Sequence, residues 1–72
     1  MITYNSVADR DDKAFISKAR RALGRSKFDS LIPEARAAFK LAYDNEPNEN
    51  KKPSVAKRAA NMIYTSAINN KI

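Results

Sequence analysis

The residues best suited to specific recognition in this chain are an arginine and an asparagine three positions apart, Arg58 and Asn61. Arginine can donate two hydrogen bonds to guanine, and asparagine can pair bidentately with adenine. At this spacing the two side chains share one face of a helix, so the pattern predicts base contacts in a major groove. Three neighbouring lysines would anchor phosphates beside them: Lys51, Lys52 and Lys57. The alternative interpretation is a solvated polar face without a partner.

A second group of cations lies earlier in the chain. Residues 10–27 carry seven positive and two negative charges, a net charge of +5. Cations near a helix C-terminus stabilise the helix by about 0.3–1 kcal/mol without any partner. That effect does not require six cations within residues 13–27, so the cluster also predicts contacts with phosphates. The candidate phosphate-binding residues of this cluster are Lys13, Arg20, Arg21 and Arg25.

Catalytic chemistry has few candidate residues. The chain contains no cysteine and no histidine, so the usual nucleophiles, proton carriers and zinc ligands are missing. A single glycine excludes a glycine-rich phosphate-binding loop. Asp11 and Asp12 could hold magnesium, but acids in a first helical turn usually complement the helix dipole. We therefore expect no enzymatic activity, no cofactor and no bound metal.

The overall charge favours a polyanionic partner. The chain of 72 residues has a formal net charge of +6, with two basic ends around an acidic middle. Residues 28–50 carry two positive and five negative charges, whereas residues 51–72 carry five positive charges and no negative ones. The favoured function is nucleic-acid binding, to double-stranded DNA above all, through phosphate contacts from the first and third predicted helices.

A different class of function is also open. The same cations could steer a small adaptor or inhibitor onto an acidic surface of a transcription or replication protein. Val55, Met62 or Ile16 would then be the apolar anchors. In its short length and its high asparagine and lysine content, the chain resembles small phage-encoded proteins, and this resemblance is one of composition, not of motif.

Location and assembly follow from what the composition lacks. The longest uncharged run, residues 59–70, is shorter than the roughly 20 apolar residues that a membrane span needs. The polar start of the chain and the absence of cysteine predict a cytoplasmic protein without a membrane partner. A core this small, without disulfide or metal, leaves a homodimer as an alternative to a monomer.

These residues are positioned by a predicted all-α fold, a compact three-helix domain over residues 1–72. The expected helices are 9–23, 33–44 and 54–69, and residues 1–8 form an N-terminal arm. Ser6 or Asp9 would cap the first helix, Gly24 would end it, and Pro33 would lie in the first turn of the second. Apolar residues at helical spacing predict three core stripes: Phe15, Ala19, Ala22 and Leu23; Ala35, Ala38, Phe39 and Ala42, widened by Ala37, Leu41 and Tyr43; and Ala56, Ala59, Ala60, Ile63 and Ala67, with Val55 and Met62 beside them.

Overall fold

The computed structural model describes residues 2–70, which form four helices. They are α1 (Tyr4–Val7), α2 (Arg10–Leu23), α3 (Arg25–Asn45) and α4 (Lys52–Asn69). The described residues contain no strand, and they pack with a radius of gyration of 12.0 Å. The predicted compact, all-α class is therefore confirmed, with four helices where the sequence predicts three.

The predicted N-terminal arm contains the short helix α1; residue 1 of the arm lies outside the described residues. Thr3 caps α1 through a reciprocal pair of hydrogen bonds with Ser6. The N-cap of α2 is Asp9, whose carboxylate accepts from the backbone of Asp12 while the Asp12 carboxylate accepts from the backbone of Asp9. Such a capping box satisfies two backbone donors that the helix leaves free.

Gly24 ends α2, as the sequence predicts. Its backbone has φ 84° and ψ 153°, and its N–H donates to the carbonyl of Arg20 at 2.9 Å. This φ is one that residues with a side chain rarely adopt, because the Cβ atom meets the backbone. The chain turns at this residue and enters α3 at once.

Helix α3 begins at Arg25, not at residue 33, so residues 25–32, which lie between the first and second predicted helices, are helical and Pro33 lies inside the helix. Phe28 and Ile32 continue the apolar stripe of Ala35 and Phe39 toward the N-terminus. Burial of a phenylalanine contributes about 1.5–3 kcal/mol, which is comparable with the cost of about 3 kcal/mol for an internal proline. The side chain of Pro33 is exposed, so its ring does not disturb the packed face.

The core lies between α3 and α4. These helices run antiparallel, as the stacking of Phe28, near the start of α3, on Tyr64, near the end of α4, shows. Their ring centroids are 4.7 Å apart, with an interplanar angle of 8°. The alanines of α4 lack long side chains and so let the two helices approach closely. The buried residues are Ala19, Leu23, Phe28, Ala35, Phe39, Ala56, Ala60 and Tyr64.

Three of the residues expected beside the core face outward instead. Leu41 is 64% exposed and Met62 is 60% exposed, and Ala37 is also exposed. Each lies on the side of its helix opposite the buried stripe, where no other helix covers it. Tyr64 of α4 faces inward and is only 5% exposed.

Helices α1 and α2 pack across one side of the α3–α4 pair. The ring of Tyr4 lies 6.2 Å from that of Phe39, and Ala19 and Leu23 reach the shared core.

Within residues 2–70, every helix is too short or too polar to cross a lipid bilayer.

Candidate nucleic-acid interface

The largest concentration of exposed cations lies on α2 and the start of α3, a surface that we call the α2–α3 corner (residues 10–27). All four predicted phosphate-binding residues of this segment are exposed, and so are its three other cations. The seven are Arg10, Lys13, Lys18, Arg20, Arg21, Arg25 and Lys27. Of the two acids in the corner, Asp11 is exposed, whereas Asp12 is half-buried. The corner therefore presents an excess of positive charge to solvent.

Few of these cations are neutralised within the protein. Arg25 lies 3.9 Å from Asp29, with both side chains largely exposed, and such a pair contributes about 0–1 kcal/mol. The guanidinium of Arg20 lies 5.2 Å from the centroid of the Phe28 ring, a cation–π contact. Lys13 and Arg21 form no salt bridge with any of residues 2–70.

Lys57, a predicted phosphate anchor, is instead part of the packing between α1, α2 and α4. Its ammonium donates to the Asp12 carboxylate at 2.8 Å and to the carbonyl of Val7 at 3.3 Å. The side chains of Lys57 and Asp12 are only 19% and 15% exposed. Burial opposes ionisation of Asp12, but the hydrogen bond from Lys57 holds the pKa of the carboxyl below its usual value. The same hydrogen bond raises the pKa of Lys57.

Asn61, a predicted base-reading residue, uses its carbonyl oxygen inside the protein. The Tyr4 hydroxyl donates to the Asn61 Oδ1 atom at 2.7 Å across 57 positions of sequence. Burial, assisted by the negative charge of Asp12, raises the pKa of Tyr4 to about 12, so the hydroxyl remains a donor at neutral pH. Bidentate pairing with adenine requires this oxygen to accept from the base, so the hydrogen bond competes with the predicted role.

Arg58, the other base-reading candidate, is exposed. It lines a shallow concavity of α4 with Ser54, Met62 and Thr65, and Asp12 of α2 lies at the same concavity. Arg20 lines a different groove, with which this concavity shares no lining residue. Arg20 and Arg58 thus line two different concavities, and the half-buried Asp12–Lys57 pair lies beside Arg58.

The two lysines at the start of α4 differ in exposure. Lys51 is exposed at the N-cap position. Lys52 is half-buried, donates to the carbonyl of Tyr43 at 3.0 Å and lies 5.3 Å from the centroid of the Tyr43 ring. It therefore links the start of α4 to the end of α3 and has less freedom to contact a phosphate than Lys51.

One sequence signal indicated the inward position of Asp12. Asp12 precedes Phe15, Ile16 and Ala19 by three, four and seven positions, which places a carboxylate on the apolar face of α2. A charge on such a face needs a partner, because an unpaired buried carboxylate is costly. The sequence did not identify Lys57 as that partner, since the two residues are 45 positions apart.

Nothing in the described part of the chain groups its acids into a metal site: no three or more carboxylates there lie together so that they could hold an ion. Asp12, one of the two acids considered above as magnesium ligands, is engaged with Lys57 and with the N-terminus of α2. In comparisons with known proteins, no family model, no curated protein and no solved structure matches the chain significantly.

Proposed function

We propose that the protein binds nucleic acid, and double-stranded DNA above all, through phosphate contacts from the α2–α3 corner. The observation that supports this proposal is the exposure of all seven cations of the corner while one of its two acids is paired internally. A positive surface of this kind attracts the polyanionic backbone and releases counterions on binding. A cytoplasmic location, which the absence of cysteine favours, would give the protein access to DNA.

The proposed contacts are those of a backbone binder. Lys13, Arg20, Arg21 and Arg25 would contact phosphates, and α2, at 14 residues, is about 21 Å long, enough to follow several phosphates. Such contacts position a protein on a duplex without reading its sequence. We therefore propose sequence-tolerant binding, with no base readout by Arg58 and Asn61.

A salt titration tests the proposal. The affinity for a labelled duplex of about 20 base pairs would be measured by fluorescence anisotropy as NaCl rises from about 50 to 200 mM. The logarithm of the binding constant should fall linearly with the logarithm of the salt concentration, by about 0.9 for each phosphate neutralised. Duplexes of unrelated sequence should bind with similar affinity.

Single substitutions then assign the contacts. Lys13→Gln and Arg21→Gln should each reduce the salt slope by about one, because each removes one phosphate contact. Lys40→Gln is the matched control, since Lys40 is an exposed cation outside the corner. A flat salt response, no binding at low salt, or equal effects of all three substitutions would contradict the proposal.

A further inference from the structure

A groove runs along one flank of α3, between this helix, α2 and the N-terminal segment. Its volume is about 550 Å³, within the usual size range of binding pockets. Ile16 of α2 and Ile32 and Tyr43 of α3 are partly exposed where they line it. Ile2, at its edge, is 46% exposed. The groove therefore offers an apolar surface that the protein's own helices cover incompletely.

Three hydrogen-bond donors from three different helices line this groove: Arg20 of α2, Arg36 of α3 and the hydroxyl of Tyr64 of α4. Neither Arg36 nor the Tyr64 hydroxyl has a hydrogen-bond partner or a salt bridge among residues 2–70. Burial raises the pKa of Tyr64 against the opposing effect of the positive charges of Arg36 and Arg20, so the hydroxyl is protonated at neutral pH. A carboxylate placed here could accept hydrogen bonds from Arg36 and the Tyr64 hydroxyl, because no acid among residues 2–70 already binds them.

The charge around the groove is predominantly positive. Arg20, Arg36 and Lys40 line it, and the one acid among its lining residues, Asp44, is already paired with Lys40 at 2.8 Å. A complementary partner is therefore acidic. This charge pattern does not fit a second copy of the protein as well as it fits an acidic molecule, since the whole chain is basic.

The length of the groove indicates the size of the partner. Its lining residues on α3 run from Phe28 to Asp44, 16 positions apart, or about 24 Å along the helix axis. That is longer than a small-molecule ligand and matches a helix of about four turns. A helix placed in an apolar groove contributes side chains at positions i, i+3, i+4 and i+7.

We propose that this groove binds an amphipathic helix of a partner protein, one whose apolar stripe is flanked by acidic residues. The apolar side chains would pack on Ile16 and Ile32, and one carboxylate would accept hydrogen bonds from Arg36 and the Tyr64 hydroxyl. Hydrogen bonds of this charge-assisted kind are about twice as strong as neutral ones. The groove shares Ile16 and Arg20 with the α2–α3 corner. Ile32, Arg36 and Tyr64 lie outside the corner, so substitutions at these residues test this proposal separately from DNA binding.

A peptide selection tests the proposal without a known partner. A display library of random peptides of about 15 residues, long enough for four helical turns, would be selected on the full-length protein. We expect enriched peptides with apolar residues at helical spacing and acidic residues beside them. In ¹H–¹⁵N spectra of the labelled protein, they should shift the amide signals of groove residues and leave those of the α2 solvent face unchanged.

Matched variants locate the binding. Arg36→Glu should weaken the selected peptides about tenfold or more, and Tyr64→Phe, which keeps the stacked ring, should weaken them by a smaller factor. Arg58→Glu changes the net charge equally outside the groove and should leave the affinity unchanged. Lys13→Gln should also leave it unchanged, so that a failure of DNA binding and a failure of this proposal are distinguishable.

Five outcomes would overturn the proposal. Two are a selection that enriches no peptide and one that enriches neutral or basic peptides. A third is a set of amide shifts that maps outside the groove. Shifts at the groove that grow with protein concentration alone would indicate a second copy as the occupant. Binding of sodium dodecanoate there, with no binding of acidic peptides, would indicate a small anionic amphiphile.

Discussion

Lys57 and Asp12 illustrate how burial decides the value of an ion pair. Within residues 2–70, two ion pairs have the same separation of 2.8 Å: Lys57–Asp12 and Lys40–Asp44. The first is less than 20% exposed at either side chain, whereas both side chains of the second are more than half exposed. Water screens an exposed pair and competes for its hydrogen bonds, so equal distances do not imply equal stabilisation.

This comparison gives a stability prediction. Lys57→Met should lower the free energy of unfolding by about 1.5–3 kcal/mol, because it leaves the half-buried Asp12 carboxylate without its partner. Lys40→Met should change it by less than about 0.5 kcal/mol. Urea denaturation at pH 7 measures both values. Equal losses in the two variants would show that Lys57 is not a packing residue.

The Tyr4–Asn61 hydrogen bond gives a prediction about alkaline pH. Folding raises the pKa of Tyr4 from an ordinary value of 10.0 to about 12. The protonated hydroxyl therefore stabilises the folded state fully below pH 10, and this contribution is lost between pH 10 and 12, where the unfolded chain loses the proton first. The raised pKa values of Lys57 and Tyr64 act in the same direction. The free energy of unfolding should therefore fall above pH 10.

Tyr4→Phe isolates the part that Tyr4 contributes. At pH 7 the variant should lose about 0.5–1.5 kcal/mol, the usual net value of one hydrogen bond. Above pH 10 its stability should fall less steeply than that of the unchanged protein, because one titrating group has been removed. Urea denaturation repeated from pH 8 upward gives the two slopes. Parallel slopes would contradict the assignment.

At the scale of elements, local signals predicted both the start and the end of α2 but not the start of α3. Asp9 caps α2 and Gly24 ends it, as their residue types and positions indicate. Pro33 suggested a helix start, yet it lies inside α3, because Phe28 continues the buried stripe and packs on Tyr64. A proline signal is local, whereas the gain from burying Phe28 depends on a helix that comes later in the chain.

The turn between α2 and α3 can be tested at Gly24. A Cβ atom added there would meet nothing within 4 Å, so the cost of Gly24→Ala comes from the backbone alone. A residue with a side chain at φ 84° and ψ 153° costs about 1–3 kcal/mol. Thermal unfolding followed by circular dichroism measures the loss. The control is Ser26→Ala, at an exposed site in the next helix, which should change the free energy of unfolding by no more than about 0.5 kcal/mol. Similar losses in the two variants would mean that a side chain at position 24 does not strain the turn.

At the scale of the whole molecule, one sign of charge dominates the surface. The net charge of +6 on 72 residues produces mutual repulsion, and seven of the cations lie together in the α2–α3 corner. Salt screens exposed charges strongly and a largely buried pair such as Lys57–Asp12 only weakly. Added salt should thus weaken the repulsion between exposed charges more than it weakens the attraction within the buried pair.

The homodimer stays a prediction, which a mass measurement in solution would test.

The resulting prediction concerns stability in the absence of any ligand. The free energy of unfolding at pH 7 should rise as NaCl is added from about 10 to 150 mM, a range over which the Debye length shortens from about 30 to 8 Å. The double variant Lys18→Gln and Arg21→Gln should be less sensitive to salt, because it removes two charges of the corner. A stability that falls with salt would mean that attractive ion pairs outweigh the repulsion.

The sequence by itself determined the helical class, the cap and end of α2 and the concentration of cations in residues 10–27. These features depend on residues close together in the chain, whose hydrogen bonds, backbone preferences and charges act over one or two helical turns. The same local character explains why exposed residues such as Lys13 and Arg21 were identified correctly as surface cations.

Only the tertiary structure decided which polar residues remain free. Lys57 and Asn61 have the residue types and spacing of recognition residues, but their partners Asp12 and Tyr4 lie 45 and 57 positions away. The groove beside α3 likewise requires α4 to pack on α3, because only that contact brings Arg36 near Tyr64. A buried polar group is stabilised by whichever partner packing supplies, and packing joins residues that no local pattern connects.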